Sequence, residues 1–269
     1  MSKRDAWEGK YFGVDRAGSR MGVAPSNPGS DHRGQDNLLL AALSEESGLL
    51  LRKYFHEHEL KAGTVLWQPG ASVNRVFFPL HGIIAIHVPN HEGNAAEVAS
   101  IGPEGAAGFA ETASIFPVPT EAVMQTPGRL VAVSAEAFAT AARDVEEIRR
   151  AVELCNAWLL LQAEVLAACN AVHPADGRFC RWLLRASDAL GGETVTATQE
   201  TVARALGLRR TTATLIAQHL QRAGMISYSR GRITIRDRAA LQAAACDCHG
   251  TLGRDHWPSE LLRTISKRA

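Results

Sequence analysis

Eight arginines fall within residues 198–238: Arg204, Arg209, Arg210, Arg222, Arg230, Arg232, Arg236 and Arg238. Only Glu200 and Asp237 oppose them, so this stretch carries a formal +6 while the whole chain of 269 residues carries +1. A guanidinium presents its donors in a planar fork that fits phosphate oxygens and the O6/N7 edge of guanine. Concentrated on one segment of a nearly neutral chain, such groups supply the local field that a phosphate backbone requires.

Two further groups of side chains have the chemistry of a site. Cys246, Cys248 and His249 lie within four residues, and soft or borderline donors of this kind hold zinc or respond to oxidation. Their spacing is not a standard zinc spacing and lacks a fourth ligand, so they stand as a weak candidate and the expectation is no metal and no cofactor. The five cysteines, an odd number all in the second half, point to reduced thiols rather than a disulfide framework. His81, His87 and His91 would suit a cupin-like metalloenzyme. Such a site needs a His-x-His pair and a further His from a later strand, yet His56-x-His58 precedes the apolar strand runs and no His lies between His91 and His173. The chain is therefore not expected to be an enzyme.

The arginines must be held by folded elements, and residues 198–236 supply them. TQETVARAL reads as a short amphipathic helix with Thr198 at its N-cap. Gly207 can take the positive φ that ends a helix. RTTATLIAQHLQRAG is a second helix, with Ala213, Ile216, Ala217 and Leu220 at three- and four-residue spacing. ISYSRGRITIR gives two β-branched runs about Arg230-Gly231, a hairpin signal. Helix, turn, helix and hairpin make a winged helix-turn-helix, and the partner it predicts is double-stranded DNA. Leu206, Leu208, Ile216, Leu220 and Ile226 belong to its core.

Upstream, residues 1–36 lack periodicity and are rich in Gly, Ser, Asp, Asn and Pro, the composition of a disordered tail. Residues 37–143 begin with short helices capped at Asn37 and Ser44. Seven short β runs follow (HEHEL, TVLWQPG, RVFFPL, GIIAIHV, AAEVASI, EAVMQT, RLVAVS), which predict a jelly-roll barrel. Residues 144–173 read as one long helix ended by His173-Pro174. It carries two apolar stripes at alternating three- and four-residue spacing, one through Ile148, Val152, Cys155, Leu159 and Leu166, the other through Leu154, Trp158, Leu161, Val165 and Val172. Two seams need two partners: the chain's own barrel and the same helix of a second copy. The first stripe is taken here as the dimer helix, although spacing alone does not choose between them. Residues 174–241 hold the winged helix, and 242–269 form a C-terminal extension. The fold class is α+β. With 46% hydrophobic residues, no unbroken run of 18 apolar residues and no apolar segment after MSKRDAWEGK, the chain reads as cytoplasmic and outside the membrane.

Barrel, long helix and winged helix in this order resemble the Crp/Fnr superfamily of bacterial transcription regulators, over about residues 37–241. KAGTVLWQPGASVNRVFFPLHGIIAIHV is similar to the opening of the cyclic-nucleotide-binding barrel, IGPEGAAG to its phosphate cassette, and TQETVARALGLRRTTATLIAQHLQRAGMI to its helix-turn-helix. The resemblance implies a homodimer on a roughly palindromic site and a small-molecule effector of unknown identity, with RNA polymerase as a further candidate partner. It also marks departures. Gly108 keeps the Gly of the pair that meets the ribose of cyclic AMP, but Phe109 replaces its Glu, and Pro119-Thr120 replaces the Arg-Ser that meets the phosphate. Only Arg75 is cationic between Ala71 and Gly128. A buried cyclic phosphate needs a paired cation, so cyclic AMP is not expected to bind in the usual way. For DNA, the resemblance assigns base reading to Arg209 and Arg210, with Thr211, Thr212 and Thr214 beside them. It assigns phosphate contacts to Thr198, Gln199, Arg230 and Arg232. Thr211 and Leu215 stand where the family carries an acid and a second Arg, so the half-site should differ.

Overall fold

A computed structural model of the chain describes residues 37–90 and 95–252. The tail at 1–36, His91 and most of the C-terminal extension lie outside the described residues. All seven expected β runs form strands: β1 (His56–Leu60), β2 (Val65–Trp67), β3 (Arg75–His81), β4 (Ile84–Pro89), β5 (Ala95–Ile101), β6 (Glu121–Met124) and β7 (Gly128–Ser134). They make two antiparallel sheets, β1-β7-β3 and β2-β6-β4-β5.

The β3 and β7 runs are apolar on both faces because both faces are buried. Phe77, Leu130 and Ala132 point between the sheets, where they meet Trp67, Ile84, Ile86, Ile101, Ala122 and Met124. Val76, Phe78, Leu80, Val131 and Val133 point the other way, onto helices. Those helices are α1 (Leu38–Ala41), α2 (Glu45–Arg52), α4 (Ala135–Asp144) and α5 (Glu146–Val172). Asn37 caps α1 as expected and does more. Fully buried, its side chain also donates to the carbonyls of Pro79 at 2.8 Å and Gly105 at 2.9 Å, tying the first turn to the barrel. Ser44 caps α2 and donates to Glu147 of α5.

The segment after β5 contains a helix the sequence did not announce, α3 (Phe109–Thr112). It starts at Gly108 with φ 102, and a Cβ there would sit 2.6 Å from the Arg75 carbonyl. Only glycine meets both demands.

α5 runs 27 residues. By length and composition alone it is apolar enough to cross a membrane, although scattered polar residues leave it no unbroken apolar run of 18. Ile148, Ala151, Cys155, Trp158, Gln162, Leu166 and Cys169 are buried within the chain. The stripe assigned to a partner helix is therefore corrected: Ile148, Cys155 and Leu166 pack into the chain's own core, with Val152 against the same cluster and Leu159 against the barrel interior. The physical reason is that this face of α5 packs on β5 and joins the other barrel helices in the apolar core over the β1-β7-β3 sheet. Leu160, Leu161 and Val172 are instead exposed, at 60%, 38% and 70%.

The C-terminal unit follows without a linker of any length. α6 (Ala175–Leu190) begins three residues after α5 ends and is buried on most sides. It carries β8 (Thr194–Thr196), α7 (Gln199–Leu206), α8 (Arg210–Arg222), β9 (Ile226–Ser229), β10 (Arg232–Ile235) and α9 (Arg238–Ala244). The wing is a three-stranded sheet, β8-β10-β9, where the sequence suggested a two-stranded hairpin. Within the C-terminal extension, α10 (Cys248–Thr251) folds back, and Leu252 is buried in the core shared by the barrel helices.

Candidate nucleic-acid interface and effector barrel

Local chemistry builds the elements of this candidate interface. Thr198 Oγ1 accepts from the Thr201 amide at 3.1 Å, an N-cap of the kind that stabilises a helix by about 1 kcal/mol. Gly207 ends α7 at φ 62. Arg209 stands at the N-cap of α8 without a capping side chain, so that helix presents open amides and a positive dipole end. Arg230 (φ 49) and Gly231 (φ 74) form a two-residue turn with both residues left-handed, the geometry that matches strand twist.

These pieces converge on one surface. The Ala197 amide donates to the Gly231 carbonyl at 2.9 Å, and Gly231 lies beside the Thr198 methyl, so the wing tip abuts the start of α7. Thr214 Oγ1 donates to Gln199 Oε1 at 2.7 Å and lies 2.9 Å from the Arg210 carbonyl, bracing α7 against α8. Arg210 is close enough to Tyr228 of the wing to act on its phenol, whose pKa burial raises and Arg210 pulls back down. Arg209, Arg210, Thr211, Arg230 and Arg232 are exposed, with Thr212 half-buried. One hydrogen bond, from Thr214 Oγ1 to Gln199 Oε1, joins these two residues within the chain and does not involve the Gln199 amide nitrogen.

The eight arginines divide. Arg204 pairs with Glu121 at the start of β6, and Arg238 pairs with Asp188 and, at 3.5 Å, Glu193. The other six form no ion pair with any described residue: Arg222 donates to the Gln218 carbonyl and Arg236 to Ser227 Oγ, whereas the exposed Arg209, Arg210, Arg230 and Arg232 have neither kind of partner among the described residues. The sequence charge count could not make this division, because Glu121 is 83 residues away from its partner.

Glu121 also faces buried His87, at 3.4 Å. Desolvation opposes its charge, but His87 and Arg204 outweigh it, and its carboxyl is held below the ordinary value. His87 is thus a barrel-wall residue, His81 is exposed at the end of β3, and no metal-capable group among the described residues includes either. A second junction was not foreseen at all. Arg185 of α6 donates to Ser100 Oγ (2.7 Å), the Ser100 carbonyl (2.7 Å), Gln162 Oε1 (2.8 Å) and the Leu252 carbonyl (2.8 Å), with Glu104 at 3.8 Å. Its guanidinium lies 5.7 Å from the Trp158 ring centre. This one side chain joins barrel, long helix and winged helix. It explains why Gln162 interrupts an apolar stripe.

The barrel interior is filled by apolar side chains, with Trp67 and Phe77 stacked at 6.2 Å. Phe109 points away from it, into the helix-facing core against Phe78 and Phe138. Thr120 accepts from the Trp67 indole at 3.2 Å, and Pro119 is exposed. Arg75 stands at the edge of the outer sheet. There it adds to the burial that lowers the pKa of His58. None of these positions puts a cation inside the barrel.

Of the weak metal candidates, Cys246 and Cys248 face the end of α5, whereas His249 turns towards Asp188 and Arg238. Burial raises both thiols, Cys248 to about 12, so neither is the low-pKa thiolate that marks a reactive cysteine.

Two family models match the chain, the cyclic nucleotide-binding domain over residues 57–144 and the Crp-like helix-turn-helix domain over 177–244, together more than half of its length. No curated protein matches it. Solved structures with the same fold include the c-di-GMP responsive global regulator CLP of Xanthomonas campestris (TM-score 0.61, 15% identity, 71% of this chain and 99% of that one). A Crp/Fnr-family transcriptional regulator from Thermus thermophilus gives 0.59 at 24% identity, over 71% and 98%. FixK2 from Bradyrhizobium japonicum gives 0.61 at 16%, over 71% and 98%.

Proposed function

The chain belongs to the Crp/Fnr superfamily of transcription regulators, and from that premise we propose that it reads a palindromic DNA site as a homodimer, with a barrel that does not take cyclic AMP in the usual way. The observation that carries the reading is the set of four exposed, unpaired arginines on one continuous surface. Arg209 and Arg210 lie at the first turn of α8, and Arg230 and Arg232 on the wing. α8 enters the major groove, where Arg210 forks onto a guanine edge while the wing arginines and the open amides of α7 and α8 hold phosphate. Thr211 adds a hydroxyl and a methyl beside them.

The dimer seam is the face of α5 that the chain leaves uncovered: Ala157, Leu160, Leu161, Ala168 and Val172. Small residues there let two helices approach closely, and a two-fold axis along α5 matches a palindrome. The packed barrel interior, with Phe109 and Pro119 at the two positions that would meet a cyclic nucleotide, supports a different signal or none at that position.

Selection from random duplexes with the full-length protein tests this. The expected product is a two-fold symmetric site, on which Arg210→Ala costs about 1–3 kcal/mol per half-site and relaxes one base position. Failure to enrich any sequence, or enrichment of an asymmetric site, refutes the proposal.

A further inference from the structure

Where α5 gives way to α6, four donor atoms meet that come from two distant parts of the chain. Cys169 lies in the last turn of α5 and is fully buried. His173 is the residue that ends the helix. Cys246 and Cys248 flank Asp247, Cys246 in the segment that follows α9 and Cys248 at the start of α10. Cys169 Sγ and Cys246 Sγ are 3.6 Å apart, Cys248 Sγ and His173 Nδ1 are 3.5 Å apart, and all four ligand atoms lie within 4.8 Å of one another.

These separations can be compared with a coordination polyhedron. With metal–sulfur bonds of about 2.3 Å and a metal–nitrogen bond of about 2.05 Å, a tetrahedron has S···S edges of about 3.8 Å and S···N edges of about 3.6 Å. Two of the edges are already close to those lengths. The orientation of His173 agrees. Its Nε2 lies 3.2 Å from Asp247 Oδ1, an ion-pair distance, which sets the carboxylate beside one ring nitrogen while the other, Nδ1, faces Cys248 Sγ. A ligating imidazole held through its other nitrogen by a carboxylate is the usual outer support of a zinc site. The Cys246 amide donates to the Gly177 carbonyl at 3.2 Å, which anchors the loop independently of the thiols.

We propose that Cys169, His173, Cys246 and Cys248 form a closed site for one divalent cation of the zinc class, with Asp247 orienting His173. Three thiolates and one imidazole in a tetrahedron select zinc among common divalent ions, and four protein ligands leave no open position, so the site is structural rather than catalytic. It crosslinks the end of α5, the short connection into α6 and the segment that leaves α9, fastening the DNA-binding unit at both of its ends to the long helix.

The test uses the full-length, untagged protein, purified with a thiol reductant and without chelator. Elemental mass spectrometry should find close to one zinc per chain, and exchange with cobalt(II) should give the visible absorption of a tetrahedral thiolate site. His249→Ala should keep the metal. Cys246→Ser combined with Cys248→Ser should lose it, as should His173→Ala, a less intrusive change, with helical circular dichroism showing that the fold remains. The proposal is overturned if the reduced wild type takes up neither zinc nor cobalt, if the cysteine double variant keeps full metal content, or if the protein instead carries a Cys169–Cys246 disulfide and binds no metal after reduction.

Discussion

Arg232→Ala isolates the electrostatic half of the proposed DNA contact. Arg232 opens β10, is exposed and pairs with no described residue, so its removal leaves the fold intact and takes away one phosphate contact per wing. Each neutralised phosphate adds about 0.9 to the slope of log K against log salt. A homodimer brings two wings, so the variant's slope should be shallower by about 1.8. Between 50 and 200 mM salt, a fourfold change, the wild type then loses about twelvefold more affinity than the variant, whereas a single wing would give only about 3.5-fold. Fluorescence anisotropy on a labelled duplex at four salt concentrations measures both slopes. The effect should be the same on the selected site and on an unrelated duplex, because phosphates carry no sequence information. Arg204→Ala is the control. Arg204 already pairs with Glu121, so its loss should leave the slope unchanged. If Arg204→Ala flattened the slope as much as Arg232→Ala, the division of the arginines into internal and external sets would be wrong.

Other outcomes follow from the packing. Arg185→Ala strips a buried hub of four hydrogen bonds and should cost about 3–5 kcal/mol in urea unfolding; a loss below about 1 kcal/mol would contradict its role as the joint between units. Leu160→Glu should weaken the dimer at least a hundredfold by analytical ultracentrifugation, since two leucines leaving the seam cost about 3 kcal/mol, while the monomer stays folded. Ile148→Glu, by contrast, should unfold the chain, because that residue is only 1% exposed in its own core. Calorimetric titration with cyclic AMP and cyclic GMP should show no micromolar binding, and a clear isotherm for either would sink the reading of the barrel.

How much was legible in the sequence differs by the range of the interaction. The seven barrel strands, the caps at Asn37, Ser44 and Thr198, and the turn at Arg230-Gly231 were all readable, because each is decided by residues a few positions apart. The stripe on α5 facing the barrel was not, since both stripes have the same spacing and only the shape of the barrel chooses. The same limit hid Glu121 from Arg204, Ser100 from Arg185 and Cys169 from Cys246, pairs that only the finished topology brings together. Even so, the sequence signal for the last pair existed: Cys169 and His173 are spaced i, i+4, one helical turn, and could have been matched to the Cys-x-Cys.

The connection between α5 and α6 is two residues long, and that shortness turns the long helix into a stiff arm. An α-helix of this length measures about 40 Å, so a tilt of about 5° displaces its far end by about 3.5 Å. Successive phosphates of one DNA strand advance about 3.4 Å along the duplex axis. In the proposed dimer, a change in the barrels too small to open a cavity would still shift each winged helix by about one base pair relative to its half-site, enough to put the pair in or out of step with a palindromic site.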